Sequence, residues 1–236
     1  MRYARQKPRW LAGDVNLGRR RSLLALSASA AGATLASGGA MAQAARCVLT
    51  EDAGEGPFYF DPDLIRSDIA DDAEGAPLEI GIQVTRRSDC ATLSAARVDL
   101  WQANGIGLYS GYEQQPGVGD IDSRIAAGQT WLRGTQFTDE NGRVRFRTIY
   151  PSWYGGRTPH LHFKVWLDAE EAVASQIFFP DETSTFVFEG FEPYRQHVDK
   201  RRVFNDNDPL QQGVYCEVES QDQSGVNATA IVAIDA

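Results

Sequence analysis

The feature that most constrains the fold of this chain is a two-residue alternation of apolar and polar side chains. Residues 78–85 read LEIGIQVT, so that a branched aliphatic side chain stands at every second position. The alternation returns after the turn Asp139–Gly142, where apolar residues stand between the arginines of RVRFRT. Because successive side chains of a β-strand point to opposite faces, this period is typical of strands that bury one face.

Further strand candidates follow along the chain, separated by turns that contain glycine or proline. Residues 45–77 carry several glycines and prolines and predict an irregular N-terminal arm. Only Glu189–Arg201 favours a short helix. Short strands at regular spacing predict an all-β fold, an antiparallel β-sandwich core with few short helices. The further strand candidates are Arg97–Gln102, His160–Leu167, Gln176–Phe179, Gly213–Val218 and Ala228–Ile234.

The first 44 residues have the composition of a secretory signal peptide. Seven basic residues and one acidic residue accompany a run of Ala, Ser, Leu and Gly that ends in small residues near Ala42. Arg20 and Arg21 resemble a twin-arginine signal, which addresses proteins that are exported folded. A membrane anchor is the alternative, but the run has few Leu or Ile residues. We therefore expect a leader at 1–44, an arm at 45–77, a β-sandwich domain at 78–236, and a periplasmic or extracellular protein with no membrane span after leader removal.

Net charge excludes one class of partner. The whole chain has a formal charge of −9 and the first 44 residues contribute +6, so the remainder carries −15. Nucleic-acid binding needs basic patches, and such an acidic domain argues against it.

The three cysteines indicate a structural role. An exported protein can keep a disulfide, and an odd number leaves one thiol over. All three pairings of Cys47, Cys90 and Cys216 stay open from the sequence. Cys47–Cys90 is favoured, because it would tie the start of the mature chain to the end of a hairpin.

The chemistry is concentrated in residues 151–162, which read PSWYGGRTPHLH. His160 and His162 are separated by one residue on a predicted strand, so they share a face while Leu161 and Phe163 point to the core. Two such imidazoles are half of a metal site, and alone they suit zinc as well as iron. Tyr154 precedes them in a glycine-rich turn.

A second tyrosine, Tyr109, follows the turn Asn104–Gly107. A phenolate is a hard anionic ligand that suits a trivalent ion such as Fe(III). The sequence has no HExxH, no carboxylate spaced as a third ligand, and no GxSxG nucleophile motif.

These residues resemble the intradiol ring-cleavage dioxygenases, the catechol and protocatechuate dioxygenases that use non-haem Fe(III). The resemblance covers nearly all of the chain after the leader, and the leader itself is similar to that of the exported branch. It is carried by VDLWQANGIGLYSGY (98–112), LRGTQFTDENGRVRFRTIYP (132–151), WYGGRTPHLHFKVW (153–166), SQIFFPD (175–181) and the arm LTEDAGEGPFYF (49–60).

The resemblance implies one Fe(III) per chain, bound by four protein ligands, and a catalytic arginine. Tyr154 and His160 would be axial ligands, and Tyr109 and His162 equatorial. Arg157 would face a bound catechol-type substrate, and Gln176 would support Arg157 by a hydrogen bond. Both atoms of dioxygen would enter the ring between its hydroxylated carbons, giving a muconate-type diacid.

Other residues near these motifs receive weaker assignments. Phe58 and Tyr59 are candidates for the substrate pocket, although packing explains them equally well. Gln102 stands where many exported members have histidine, and we assign it no role. His197 lies in a polar stretch that predicts a surface residue. The short arm lacks the long helical segment by which catechol dioxygenases dimerise, so we expect a monomer or a small homo-oligomer.

Two other functions compete with the dioxygenase. A secreted, non-catalytic β-sandwich binding module of the transthyretin-like kind would share the fold, since fold does not fix function. A zinc hydrolase would use the two histidines but lacks a third conventional ligand and a carboxylate base. The joint presence of two tyrosines, two histidines and Arg157 favours the dioxygenase.

Overall fold

The computed structural model describes residues 47–115 and 122–236, and the predicted leader lies outside them. Those residues form nine β-strands, one α-helix and three short 3-10 helices. The helix α1 is Asp181–Gly190, and the 3-10 helices are Ser123–Ala126, Tyr194–Lys200 and Asn205–Asn207. The strands are β1 (Pro77–Arg86), β2 (Arg97–Gln102), β3 (Arg133–Phe137), β4 (Arg143–Ile149), β5 (His160–Leu167), β6 (Glu170–Phe178), β7 (Val214–Tyr215), β8 (Glu217–Asp222) and β9 (Gly225–Ile234).

The strands form two sheets that pack as a sandwich, which confirms the predicted fold class. One sheet has the order β4-β1-β9-β8 and the other has the order β3-β2-β5-β6-β7. Most pairs are antiparallel, but β1 pairs with β9 and β6 with β7 in parallel. Parallel neighbours need a long connection, and β1 and β9 are joined through all the other strands. No helix in the described part of the chain is long and apolar enough to cross a membrane.

The period-two pattern places its apolar side chains in one core. Leu78 and Ile80 of β1 belong to the same buried core as Leu161 and Phe163 of β5, and each is at most 2% exposed. The core therefore takes up one face of β5. His160 and His162 project from its opposite face, where a smaller apolar cluster covers them.

The helix predicted at Glu189–Arg201 is wrong in position. The α-helix α1 begins earlier, at Asp181, and ends at Gly190, and within the predicted range residues 194–200 form only a 3-10 helix. The sequence of α1, DETSTFVFEG, is rich in Thr, Val and Phe, which have low helix propensity. Its two initial acidic residues, which favour a helix N-terminus, were the available signal.

His197 is buried, which corrects its prediction as a surface residue. It is only 7% exposed, and its ring centre lies 5.2 Å from that of Trp153. His197 stands at a kink in this 3-10 segment, with φ −141° and ψ 15°, and it is buried while Asp199 and Lys200 remain exposed.

The N-terminal arm, residues 47–76, lies along the sandwich and forms only isolated bridges with it. Its backbone bonds reach both sheets, from Thr50 N–H to the Ala233 carbonyl (2.8 Å) and from Ala53 N–H to the Ala174 carbonyl (2.9 Å). The arm begins at a disulfide between Cys47 and Cys90, which confirms the favoured pairing. Cys216 is a free buried thiol, and burial raises its pKa to about 12.

Replacing Cys47 and Cys90 together by serine is expected to lower the free energy of unfolding by about 2–4 kcal/mol, because the bridge restricts the unfolded chain. The two cysteines are 43 positions apart, so the closed loop is long. Urea denaturation under oxidising conditions measures the loss. In excess reductant the wild type and the variant should unfold at the same urea concentration. If their midpoints are also equal under oxidising conditions, the bridge does not stabilise the fold.

Candidate metal centre

His160 and His162 lie at the start of β5, and each is 2% exposed. Their Nε2 atoms are 3.1 Å apart. The Nδ1 atom of His160 is 2.7 Å from the carbonyl oxygen of Thr158, which can only accept. The His160 proton is therefore on Nδ1, and its Nε2 presents a lone pair toward His162.

The neighbouring strands hold the His162 ring in place. In the sheet register Trp101 of β2 and Gln176 of β6 stand opposite His162 on either side. The Trp101 and His162 rings are stacked, with centres 5.1 Å apart and planes 9° from parallel. Because β5 is the middle strand of its sheet, the histidines are supported from both sides.

Tyr154 reaches the histidines from the turn that leads into β5. Gly156 in that turn has φ +83°, a conformation that glycine adopts readily. The turn is closed by a 2.8 Å bond from Arg157 N–H to the Tyr154 carbonyl. The Tyr154 ring is 8% exposed, and its centre lies 5.6 Å from that of His160.

Tyr109 arrives from a loop after β2 that folds around Asn104. The Asn104 side chain accepts the N–H groups of Ile106 (3.1 Å) and Leu108 (2.9 Å), which shapes the turn. Gln115 then clamps the backbone of Tyr109, accepting its N–H at 2.5 Å and donating to its carbonyl at 2.8 Å.

The four predicted ligands are thus brought together. The Tyr109 ring lies perpendicular to that of Tyr154 with centres 5.3 Å apart, and 6.0 Å from the ring of His162. Among the residues that the structure describes, the buried Tyr109 hydroxyl accepts and donates no hydrogen bond, and neither does Nδ1 of His162.

Burial keeps all four side chains neutral. It lowers the pKa of His160 to about 3 and that of His162 well below its usual range, with Arg157 adding to both effects. Burial also raises the pKa of Tyr109 strongly and that of Tyr154 less, since the Arg157 cation opposes it at Tyr154. Neutral imidazole is the form of histidine that binds metals.

The residues present fit a hard cation such as Fe(III). Two imidazole nitrogens approach each other with a lone pair on at least one of them, and a buried phenol oxygen beside them makes no hydrogen bond within the described part of the chain. A metal ion bound among these atoms would satisfy all of them. In the described ranges 47–115 and 122–236, no three His, Cys, Asp or Glu side chains cluster to hold a metal. The two tyrosines are therefore needed to complete this donor set, and phenolate oxygen suits a hard ion.

Arg157 lies beside this donor set, and hydrogen bonds to Asp208 and Gln176 hold its guanidinium in place. Its Nε donates to both carboxylate oxygens of Asp208, at 2.9 and 3.0 Å, and its Nη2 donates to Oε1 of Gln176. The predicted hydrogen bond between Gln176 and Arg157 is present. Asp208 was not predicted, because it lies 51 residues from Arg157 in the polar sequence NDNDP, which reads as a loop.

The arm covers the donor set. The Phe58 ring stacks on that of Tyr109, with centres 4.6 Å apart, and Gly56 packs against His162 so closely that a Cβ atom would lie 3.2 Å from Cε1. Tyr59 points elsewhere: its ring lies on Trp101, and its hydroxyl donates to Asp99 at 2.9 Å. Phe58 therefore borders the centre, whereas Tyr59 supports the aromatic layer around it.

Lys164 fastens the arm beside the centre. It follows His160 and His162 on the same face of β5, and its ammonium group pairs with Glu55 of the arm and with Glu171 at 2.9 Å. Its side chain is only 3% exposed. The i, i+2, i+4 spacing was available in the sequence, but the partner Glu55 lies 109 residues away.

Gln102 has a structural explanation. Its amide group donates to the Ile149 carbonyl at 2.7 Å and accepts from the Thr148 hydroxyl at 3.0 Å. These bonds join β2 to β4 of the facing sheet, and they account for a buried polar side chain without a role in the centre.

Comparison with known proteins places the chain among dioxygenases. A family model described as dioxygenase matches residues 55–188. The chain is 29% identical over 113 residues to hydroxyquinol 1,2-dioxygenase of Rhizobium sp. (strain MTP-10005), covering 40% of this chain and 35% of that protein. It is 28% identical over 145 residues to catechol 1,2-dioxygenase 1 of Acinetobacter lwoffii, covering 52% of this chain and 43% of that protein. The matched part therefore spans less than half the length of these curated relatives.

Solved structures match a larger share. The intradiol ring-cleavage dioxygenase from Tetranychus urticae superimposes with a TM-score of 0.70 at 32% identity, covering 80% of this chain and 95% of that one. The dioxygenase domain of a dioxygenase–carbohydrate-binding protein fusion from Streptomyces sp. SirexAA-E gives a TM-score of 0.55 at 27% identity, covering 80% and 99%.

Proposed function

This chain belongs to the intradiol ring-cleavage dioxygenase family, and we propose that it opens a catechol-type ring between its two hydroxylated carbons, inserting both atoms of dioxygen to give a muconate-type diacid. The observation that carries the proposal is the burial of Tyr109, Tyr154, His160 and His162 in one group beside Arg157. A non-catalytic binding module is not favoured, because the matching family model and the similar solved structures are dioxygenases.

Tyr109, Tyr154, His160 and His162 would hold the iron. When bound, Fe(III) would supply Lewis-acid and electron-accepting chemistry toward the two oxygens of the catechol. The protein contributes fixed donors, because the His162 ring is stacked on Trp101 and His160 is oriented by Thr158.

Tyr154 is the donor placed to exchange a proton with the substrate. It is the most exposed of the four, and although burial raises its pKa, the Arg157 cation opposes that effect. In the iron-loaded protein Tyr154 would be a phenolate, and we assign to its oxygen the proton that one substrate hydroxyl releases when the catechol binds.

Arg157 would stabilise negative charge that develops on the ring. Its guanidinium is permanently charged, it is 6% exposed, and a fixed cation in a dry site is effective because no solvent has to reorganise. Phe58 and Gly56 help to exclude water by closing the centre from the side of the arm.

Metal analysis, visible spectroscopy and oxygen uptake test this proposal. The iron-loaded protein should show a visible charge-transfer band from tyrosinate to Fe(III), bind one iron per chain, and consume oxygen with at least one member of a panel of catechol, hydroxyquinol, protocatechuate and a polyphenolic catechol. Tyr109→Phe should change the band, whereas Tyr112→Phe should not, because the Tyr112 hydroxyl instead bonds the Tyr59 carbonyl. A colourless, iron-free protein that takes up no oxygen after ferric reconstitution would refute the function.

We also propose that residues 1–44 export the folded protein through a twin-arginine route. Support comes from the paired Arg20 and Arg21 and from the Cys47–Cys90 bridge, since disulfides persist in oxidising compartments. Cell fractionation of the full chain, compared with an Arg20→Lys/Arg21→Lys variant, tests this. If the full chain and the variant are both retained in the cytoplasm, the proposed export route is wrong.

A further inference from the structure

The guanidinium of Arg157 is held on one edge by a cup of acceptors. Nε donates to both oxygens of Asp208, and Nη2 donates to Gln176 and, at 3.2 Å, to the Leu210 carbonyl. None of these bonds uses Nη1. The arrangement therefore fixes the plane of the guanidinium, and these bonds leave Nη1 available to interact with a bound substrate.

Asp208 also organises its own surroundings. Its side chain is fully buried, and beyond Arg157 it accepts the backbone N–H groups of Thr158 and Leu210, each at 2.9 Å. The Thr158 carbonyl in turn accepts from Nδ1 of His160. One carboxylate thus connects the arginine to the chain segment that orients an iron ligand.

Four hydrogen bonds from three donors converge on this one buried carboxylate, more than net stability alone explains. Buried ion pairs contribute little net stability, since desolvation offsets their attraction. The pair instead fixes the orientation of the arginine. A free arginine side chain loses rotamer entropy when it is ordered, and a planar fork held by a carboxylate has lost that entropy before the substrate arrives.

Resting on the proposed function, we propose that Asp208 is a positioning residue that aims Arg157 at the bound catechol. A misplacement of about 1 Å can cost about 100-fold in rate. Removing the carboxylate is therefore expected to slow turnover through Arg157 while the iron ligands remain in place.

The experiment is a double-mutant cycle on the iron-loaded enzyme. Asp208→Asn should lower kcat about 10-fold to 100-fold with a smaller change in KM, at unchanged iron content and an unchanged charge-transfer band. Asp206→Asn is the matched control, because Asp206 is exposed two residues earlier on the same segment, and it should behave as wild type. Once Arg157 is alanine, adding Asp208→Asn should cost nothing further in turnover per bound iron, because the positioning effect has lost Arg157 while the asparagine oxygen can still accept the Thr158 N–H.

The inference is overturned if Asp208→Asn turns over at the wild-type rate. It is also overturned if adding Asp208→Asn to Arg157→Ala lowers kcat by the same factor as in the wild-type background. If Asp208→Asn does not fold or load iron, Arg157→Ala with added ethylguanidinium gives the answer. Asp208, Gln176 and the Leu210 carbonyl should capture this ion and restore activity more than ethylammonium does; equal or absent rescue would overturn the inference.

Failure of the proposed function has a different signature. In that case the wild-type protein itself takes up no oxygen with any catechol of the panel, and the positioning role falls with it. An active wild type with a fully active Asp208→Asn variant would remove the inference alone.

Discussion

Replacing His162 by glutamine is expected to abolish stable iron binding and oxygen uptake together. His162 lies in the centre of the donor set, with its Nε2 3.1 Å from that of His160 and its ring stacked on Trp101. Glutamine nearly conserves volume but removes the imidazole donor. Since loss of an outer-shell partner already weakens metal binding by about 10–100-fold, loss of a ligand should exceed about 100-fold.

Iron content per chain and the visible band measure this effect. His197→Gln is the matched control. His197 is the third histidine of the chain, and it is also buried, but it packs on Trp153. It should keep its iron and colour. Full iron content with an unaltered band in His162→Gln would show that His162 is not a ligand.

The part of the site that spacing alone predicted is the part encoded locally, whereas Tyr109 and Gln176 were implied by the family resemblance. His160 and His162 share a face because the strand period is two, and Leu161 and Phe163 between and after them are in the core. The Gly155–Gly156 turn delivers Tyr154 and Arg157 within a few residues of that strand. Local spacing was therefore sufficient for these side chains.

The remaining features depend on contacts between distant segments. Asp208 pairs with Arg157 across 51 residues and Glu55 with Lys164 across 109, and no pattern in either sequence marks its partner. The parallel pairing of β1 with β9 has the same origin, since antiparallel and parallel strands share the period of two. His197 was placed on the surface because its neighbours are polar, although it is buried at a kink in the 3-10 segment.

The acceptors that surround the Arg157 guanidinium add to what the sequence alone suggested for this residue. From the motif, the arginine is a charge near the substrate. In the structure it is a charge whose plane is fixed by Asp208, Gln176 and the Leu210 carbonyl. The distinction separates two properties, charge and orientation, that different substitutions remove.

Arg157→Ala is expected to keep one iron per chain and to lower kcat by about 100-fold to 1,000-fold, which is the usual cost of removing one fixed electrostatic stabiliser. The four proposed iron ligands do not include Arg157, and its hydrogen bonds go to Asp208, Gln176 and Leu210 rather than to the histidines. The alanine variant also leaves the Asp208 carboxylate buried without its cation, which costs stability. Turnover should therefore be measured well below the unfolding temperature of the variant.

Arg157→Lys separates charge from orientation in the same assay. Lysine keeps a positive charge but is a point charge without the planar fork, so it cannot bond Asp208 and Gln176 as arginine does. If charge alone matters, Arg157→Lys should recover most of the wild-type kcat; because the structure fixes the guanidinium plane, we expect it to remain closer to Arg157→Ala. Oxygen uptake at saturating catechol, normalised to bound iron, makes the comparison. Among the described residues, Arg157 is the cation that pairs with Asp208. An Arg157→Ala variant that turns over as fast as the wild type would therefore refute the electrostatic role of this arginine.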